Sequence, residues 1–178
     1  DLIRERATTF PAPIHHIWHA DQGFRAAAIT NRAISAATGE YVILMDGDCI
    51  PRPCFLSWHR RLAQEGWMVG GTRLLLSESF TKRILSEHLP VHQWTRRQWI
   101  GPRTRGWTNR VLPILLPLPD GRWRCRHPKA WKSLRTFSMA VHRSDLLTVN
   151  GLDESFTGWG SQDSDLIIRL MHAGVRIK

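Results

Sequence analysis

A helix followed at once by a strand, near residue 40, sets the tightest limit on the fold. AAAITNRAISAAT, within the span Asp21 to Thr38, is a run of small residues that reads as a helix stopped by Gly39. EYVILM, Glu40 to Met45, follows as a continuous apolar run. That is the pattern of a strand buried on both faces, and not of one alternating between core and water. A helix feeding such a strand is half of a crossover unit, so the expectation is an α/β domain with a mostly parallel central sheet flanked by helices.

The rest of the chain agrees with that class. PCFLSWHRRLAQ reads as a helix with Pro53 at its first position and an end at Gly66, WMVGGTRLLL from Trp67 as a strand, and SESFTKRILSEH from Ser77 as a helix with a polar cap. Regularity returns after an irregular span. TFSMAVH, Thr136 to His142, is a strand, RSDLLTVN a short helix, and SQDSDLIIRLMHAG a capped helix stopped by Gly174. VRIK begins a strand that the chain does not finish. The 178 residues show no internal repeat and no linker, and the length suits one domain with a sizeable core.

Composition removes several classes of protein. A hydrophobic content of 42% is that of a globular chain and not of a disordered one. VLPILLPLP from Val111 is broken by three prolines and falls short of the roughly 20 apolar residues that cross a bilayer. The start, DLIRERATTF, has neither an initiator Met nor an apolar signal core, and reads as a mature or excised piece. Three cysteines without a CxxC pair argue against a disulfide framework and a structural zinc site, and fit a reducing, cytoplasmic setting.

Asp46-Gly47-Asp48 lies at the end of the EYVILM strand, where open α/β sheets bind ligands. In an extended chain the two carboxylates would project the same way, and a hard divalent cation takes such oxygens together with substrate phosphates. The competing reading is a plain Asp-Gly turn, although CIPRP follows in place of the alternating strand of a hairpin. A second polar cluster lies about a hundred residues on, in NGLDESFTGWGSQDSDL. There Trp159 sits between Gly158 and Gly160, and Gln162, Asp163 and Asp165 crowd the start of a helix. Its competing reading is local: Ser161 caps the helix while Asp163 and Asp165 complement its dipole.

Taken in order, DQGFRAAAITNRAISAATGEYVILMDGDCIPRP and then NGLDESFTGWGSQDSDLIIRL resemble family 2 glycosyltransferases of the GT-A fold. The second half is similar to β-1,4-galactosyltransferases and polypeptide N-acetylgalactosaminyltransferases. The resemblance implies an inverting hexosyltransferase that uses a nucleotide-sugar donor, a UDP-sugar by expectation. Asp46 and Asp48 take the place of its DXD motif, with Asp48 holding Mn2+ or Mg2+ on the donor diphosphate and Asp46 facing the ribose or donor sugar. Arg32, in Asn31-Arg32, would reach the diphosphate, a task that suits a guanidinium fork; a solvated arginine on a helix is the alternative. Trp159, Gly160 and Gln162 would line the acceptor, and Asp163 would be the general base. Ser161 and Gln162 replace the family's Gly and Glu, so charge at position 162 is lost. The family's opening strand and its late metal-binding His would lie outside this chain, and His172 faces solvent instead. On this reading residues 1–89 form the donor and metal side, 90–135 a basic insertion, and 136–178 the acceptor-side catalytic part of one domain.

The insertion carries the charge. Eleven lysines and arginines lie between His92 and Arg135 against one acid, Asp120, so this segment holds the whole excess of the chain's +10. Five of nine tryptophans, Trp94, Trp99, Trp107, Trp123 and Trp131, are interleaved with them. Such a mixture suits an anionic saccharide or glycolipid acceptor, and also peripheral contact at the inner face of a membrane. Each tryptophan alone fits a core equally well. Nucleic-acid binding is the second reading of the same footprint. It leaves Asp46-Gly47-Asp48 and the Trp159 loop unexplained, so no nucleic-acid partner is expected.

Overall fold

The computed structural model describes residues 2–116, 118–158 and 160–178. Its helices are α1 (Leu2–Ala7), α2 (Ala26–Ala36), α3 (Phe55–Leu62), α4 (Glu78–Ser86), α5 (Ile100–Thr104), α6 (Leu112–Leu115), α7 (Arg143–Thr148) and α8 (Gln162–His172). Its strands are β1 (Tyr41–Met45), β2 (Trp67–Gly70), β3 (Ser138–His142) and β4 (Arg176–Ile177). Most segments form where the local chemistry demands. Ser77 caps α4 by accepting from the Phe80 N–H at 3.3 Å, and Gly174 adopts φ 93° beyond α8. Pro53 falls in a turn before α3 instead of at its first position, and the helix begins at Phe55.

The four strands form one sheet in the order β1-β3-β2-β4. β2 pairs parallel with β4, whereas β3 pairs antiparallel with both β1 and β2. Three strands therefore share one direction, as expected, and the fourth runs against them from an inner position. That reversal was not foreseeable, because an apolar strand buried on both faces reads alike in either direction. The burial expected of EYVILM belongs to β3 instead: Met139, Ala140 and Val141 are fully buried, whereas β1, at the edge of the described strands, is half-buried.

One core packs the sheet against α2, α7 and α8, with Met68, Met139, Val141, Leu146, Leu166 and Leu170 at its centre. The loop that enters α8 is fastened from two sides. Asn31 on α2 accepts the Leu152 N–H and donates to the Leu152 carbonyl, both at 2.8 Å. Arg169 on α8 donates to the Val149 and Gly151 carbonyls at 2.6 and 2.8 Å and pairs with Asp165. Gly151 has φ 64°, and a Cβ there would collide with the Asn31 side chain, so this clamp requires glycine.

The irregular span of the sequence builds a second core on α4. Phe80, Ile84, Val91, Trp99 and Ile114 are buried together, with Trp94 and Trp107 packed against them; the Phe80 and Trp107 rings stack at 4.9 Å. Four of the five clustered tryptophans thus lie in or against a core, since Trp131 packs on the first one. Among the described residues no helix is long and apolar enough to cross a membrane.

Tyr41 offers a direct check on the packing of β1. Its hydroxyl is buried without a hydrogen-bond partner among the described residues, and its ring meets His142 edge-on at 5.2 Å. Burial pushes the phenol up to about 12 from 10.0. Since unfolding returns the ordinary value, this contribution to stability is complete below pH 10 and is lost as pH rises towards 12. Tyr41 is the sole tyrosine, so an ultraviolet absorbance titration reads it alone. The expected midpoint lies near 12, with the signal absent in Tyr41→Phe; a midpoint near 10 in the folded protein would contradict this packing.

Candidate active site

The reversed β3 brings distant segments to one edge of the sheet. Its register sets Met45 opposite Ser138 and Gly70 opposite Met139. The carboxyl ends of β1 and β2 therefore lie on either side of the start of β3, and the side chains that follow β1 and β2 or precede β3 share one rim.

At the end of β1 the chain turns sharply, with the Cys49 N–H donating to the Asp46 carbonyl at 3.1 Å. Asp46-Gly47-Asp48 is thus a turn, but one that leads to α3 and not into a hairpin. The turn itself gathers the carboxylates, where extended alternation was the expectation. Oxygens of Asp46 and Asp48 and the Cys49 sulfur lie within 4.8 Å of one another, a donor set able to hold a metal ion. Both carboxylates are exposed. The Cys49 thiol is pushed up by burial first and then by the charges of Asp48 and Asp46.

The Asp46 carboxyl is likewise pushed up, chiefly by burial, then by the charges of Asp48 and Asp163, with Arg73 opposing them. Arg73, just beyond β2, comes within 3.6 Å of Asp46, and its guanidinium lies 4.3 Å from the Phe137 ring centre. Neither Arg73 nor Cys49 was singled out in the sequence. The strand-end rule that marks Asp46 marks Arg73 too, since TRLLL follows the WMVGG strand.

Asp163 arrives from the other half of the chain. Its carboxylate accepts from Thr136 twice, from the backbone N–H at 3.2 Å and from the hydroxyl at 2.7 Å. The Ser161 side chain makes no capping bond to α8, so the purely local account of this turn does not describe the contacts. Asp165 serves the Arg169 clamp. Gln162 is buried, and its Oε1 accepts the Gly160 N–H at 3.0 Å. Gly160 has φ 139°, a conformation that side chains rarely adopt, and open space lies beyond it. Trp159 lies outside the described residues.

Arg32 is set apart from this rim. It is exposed on α2 and lines a cavity of about 360 Å³ with Trp18, His19, Arg25 and Glu154, which neither Asp46 nor Asp48 lines. Its neighbour Asn31 is the structural member of the pair, through its clamp on Leu152.

A sheet with helices on it, acids at a strand end and a further acid delivered by a later helix mark a candidate ligand site of an α/β domain. Residues 1–126 match the family model for glycosyl transferase family 2, and residues 123–178 match that for the N-terminal domain of galactosyltransferase. The chain belongs to glycosyltransferase family 2 and is a glycosyltransferase, with a galactosyltransferase-like second part. No curated protein matches it.

The opposed charges on Asp46 yield a prediction that needs no substrate. Arg73→Gln removes the one effect that holds the carboxyl down, so Asp46 should titrate at still higher pH. Carboxyl resonances followed by NMR against pH read this directly; an unmoved Asp46 midpoint would show that the two side chains do not interact in solution.

Proposed function

We propose that the chain is the central and acceptor-side part of an inverting glycosyltransferase that moves a sugar from a UDP-sugar to a polysaccharide or glycolipid acceptor. The observation that most supports this is the pairing of Asp163 with Thr136, which fixes a carboxylate on the rim where it acts electrostatically on Asp46. Two acids from one strand end and a third from a separate helix form a two-sided site.

Asp46 and Asp48 would hold Mn2+ or Mg2+ with Cys49 beside them; when bound, such a cation supplies charge to offset the donor diphosphate. Arg73 adds a fixed cation on the same side. Arg32 and Arg25, with the exposed Trp18, give the cavity beside α2 two guanidinium forks and an aromatic face, which suits the nucleotide end of the donor. Trp159, Gly160 and Gln162 would border the acceptor.

In the transfer step the acceptor hydroxyl gives its proton to Asp163 as its oxygen bonds to the anomeric carbon. The bond from that carbon to the diphosphate oxygen breaks, and its electron pair leaves with the nucleoside diphosphate. Thr136 takes two of the roughly four acceptor directions of the Asp163 carboxylate and leaves the others for the hydroxyl. The work is proposed to take place in the cytoplasm, with residues 1–89 on the donor side and 136–178 on the acceptor side of one domain.

Asp163→Asn separates chemistry from architecture. The Asn carbonyl can accept the Thr136 N–H and its amide can donate to the Thr136 hydroxyl, so both contacts survive and stability should change by about 1 kcal/mol or less. Loss of a positioned base should slow transfer by about 10²–10⁴-fold while donor binding persists. Transfer within about threefold of the parent would assign the base elsewhere. Asp48→Asn should abolish the Mn2+-dependent part of donor binding in calorimetry without unfolding the chain, and binding that keeps its metal dependence would remove Asp48 from the metal site.

A further inference from the structure

Apart from Ile114, the described residues between 112 and 126 present an apolar and cationic surface that neither core absorbs. Ile114 of α6 is buried in the second core, while Leu112 at the start of the helix and Leu116 just past its end are 62% and 58% exposed. Leu118 is 56% exposed and Trp123 38%. Arg124 joins two of them: it donates to the Leu118 and Pro119 carbonyls at 2.7 and 3.2 Å, and its guanidinium lies 4.5 Å from the Trp123 ring centre. The bonds that fix the Leu118 loop thus also bring it to the tryptophan.

The charge around this surface is not neutralised. Among the described residues none of the eleven cations between His92 and Arg135 forms an ion pair. Asp120, the single acid there, is met by Lys178 at 3.6 Å and accepts the Gly121 N–H. Arg122 and Arg126 are exposed beside Trp123 in sequence.

We infer that residues 112–126 dock the enzyme on an anionic bilayer surface. Leu112, Leu116, Leu118 and Trp123 enter the headgroup boundary, and Arg122 and Arg126 pair with lipid phosphates. Exposed leucines beside unpaired arginines and a partly exposed tryptophan are an interfacial composition. A nucleic acid or a soluble polyanion would use the arginines and leave the leucines in water. The inference deepens the proposed function, because the same segment continues through Trp131 and the buried Leu134 into Thr136, the partner of Asp163. Docking here would bring the acceptor side of the site to a membrane-borne glycolipid.

Vesicle sedimentation of the full chain tests this without any measurement of transfer, so its failure is separate from failure of the glycosyltransferase mechanism. The chain should bind phosphatidylcholine vesicles containing phosphatidylglycerol and not phosphatidylcholine alone, more tightly at low salt. The triple variant Leu112→Ser, Leu116→Ser, Leu118→Ser and the double variant Arg122→Gln, Arg126→Gln should each weaken binding by about tenfold or more, with thermal melts like the parent's. Arg124 is left unchanged because it holds the loop. Should a variant fail to fold, quenching by brominated lipids still decides: Trp123→Phe should remove most of the quenching seen in the parent. Binding that is absent, that both variants retain, or that leaves Trp123 unquenched would overturn the inference. So would single-stranded RNA binding tighter than vesicle binding at equal phosphate and indifferent to the leucine variant, which would assign the surface to nucleic acid.

Discussion

Strand β3 is the member on which the other parts depend. It is buried on both faces, hydrogen-bonds to β1 on one side and β2 on the other, and runs against both. Remove it and β1 and β2 have no ladder between them, since they are not neighbours in the sheet. Its reversed direction has a chemical consequence. A parallel strand here would have put its carboxyl end at the rim; the antiparallel one puts its start there, and with it Phe137 and Thr136. Phe137 gives Arg73 an aromatic face and Thr136 gives Asp163 two donors, so both halves of the site are held through the same few residues.

The second constraint is the clamp on the loop before α8. Asn31 and Arg169 take up backbone groups on both sides of Gly151, at donor-acceptor distances of 2.6–2.8 Å. The Asn31 bonds join α2, which precedes the Asp46 strand, to the segment that delivers Asp163, and the Arg169 bonds tie that segment to α8. Unmet backbone groups in such a partly buried loop would each cost about 1–3 kcal/mol, so the clamp favours one loop path over its alternatives. The rim therefore inherits its geometry from two directions, β3 beneath and the clamp behind.

Much of this was legible in the sequence, for a physical reason in each case. The apolar run of β1, the capped start of α4 and the period of α8 are local patterns, and they stand within a few residues of where the chain places them. Asp46 and Asp48 stood out by their place at a strand end, whereas Asp163 was singled out through the family resemblance, its local reading being the charge of a helix start. What stayed hidden was long-range. Nothing local distinguishes the direction of β3, so Thr136 could not be tied to Asp163, nor Arg73 to Asp46. The pairing of Asn31 with Leu152 was equally invisible, whereas the exposed Arg32 beside it is the residue the motif marks. Trp94, Trp99 and Trp107 lacked a period because they pack round α4 from several short turns, and only packing separates Trp99, which is buried, from Trp123, which is 38% exposed.

Gln162 shows how the site limits its own charge. The family resemblance implies Glu at this position, yet the side chain is 8% exposed and its Oε1 already accepts the Gly160 N–H. A carboxylate there would be buried with one donor, next in sequence to Asp163 and near a rim that already carries Asp46 and Asp48. Burial without sufficient partners disfavours the charged form, and a neighbouring like charge adds to that. Such an acid would be driven towards its protonated form. The amide keeps the bond to Gly160, which holds the glycine in its unusual conformation, and adds no charge. Asp163 then remains the carboxylate that this turn directs at Thr136.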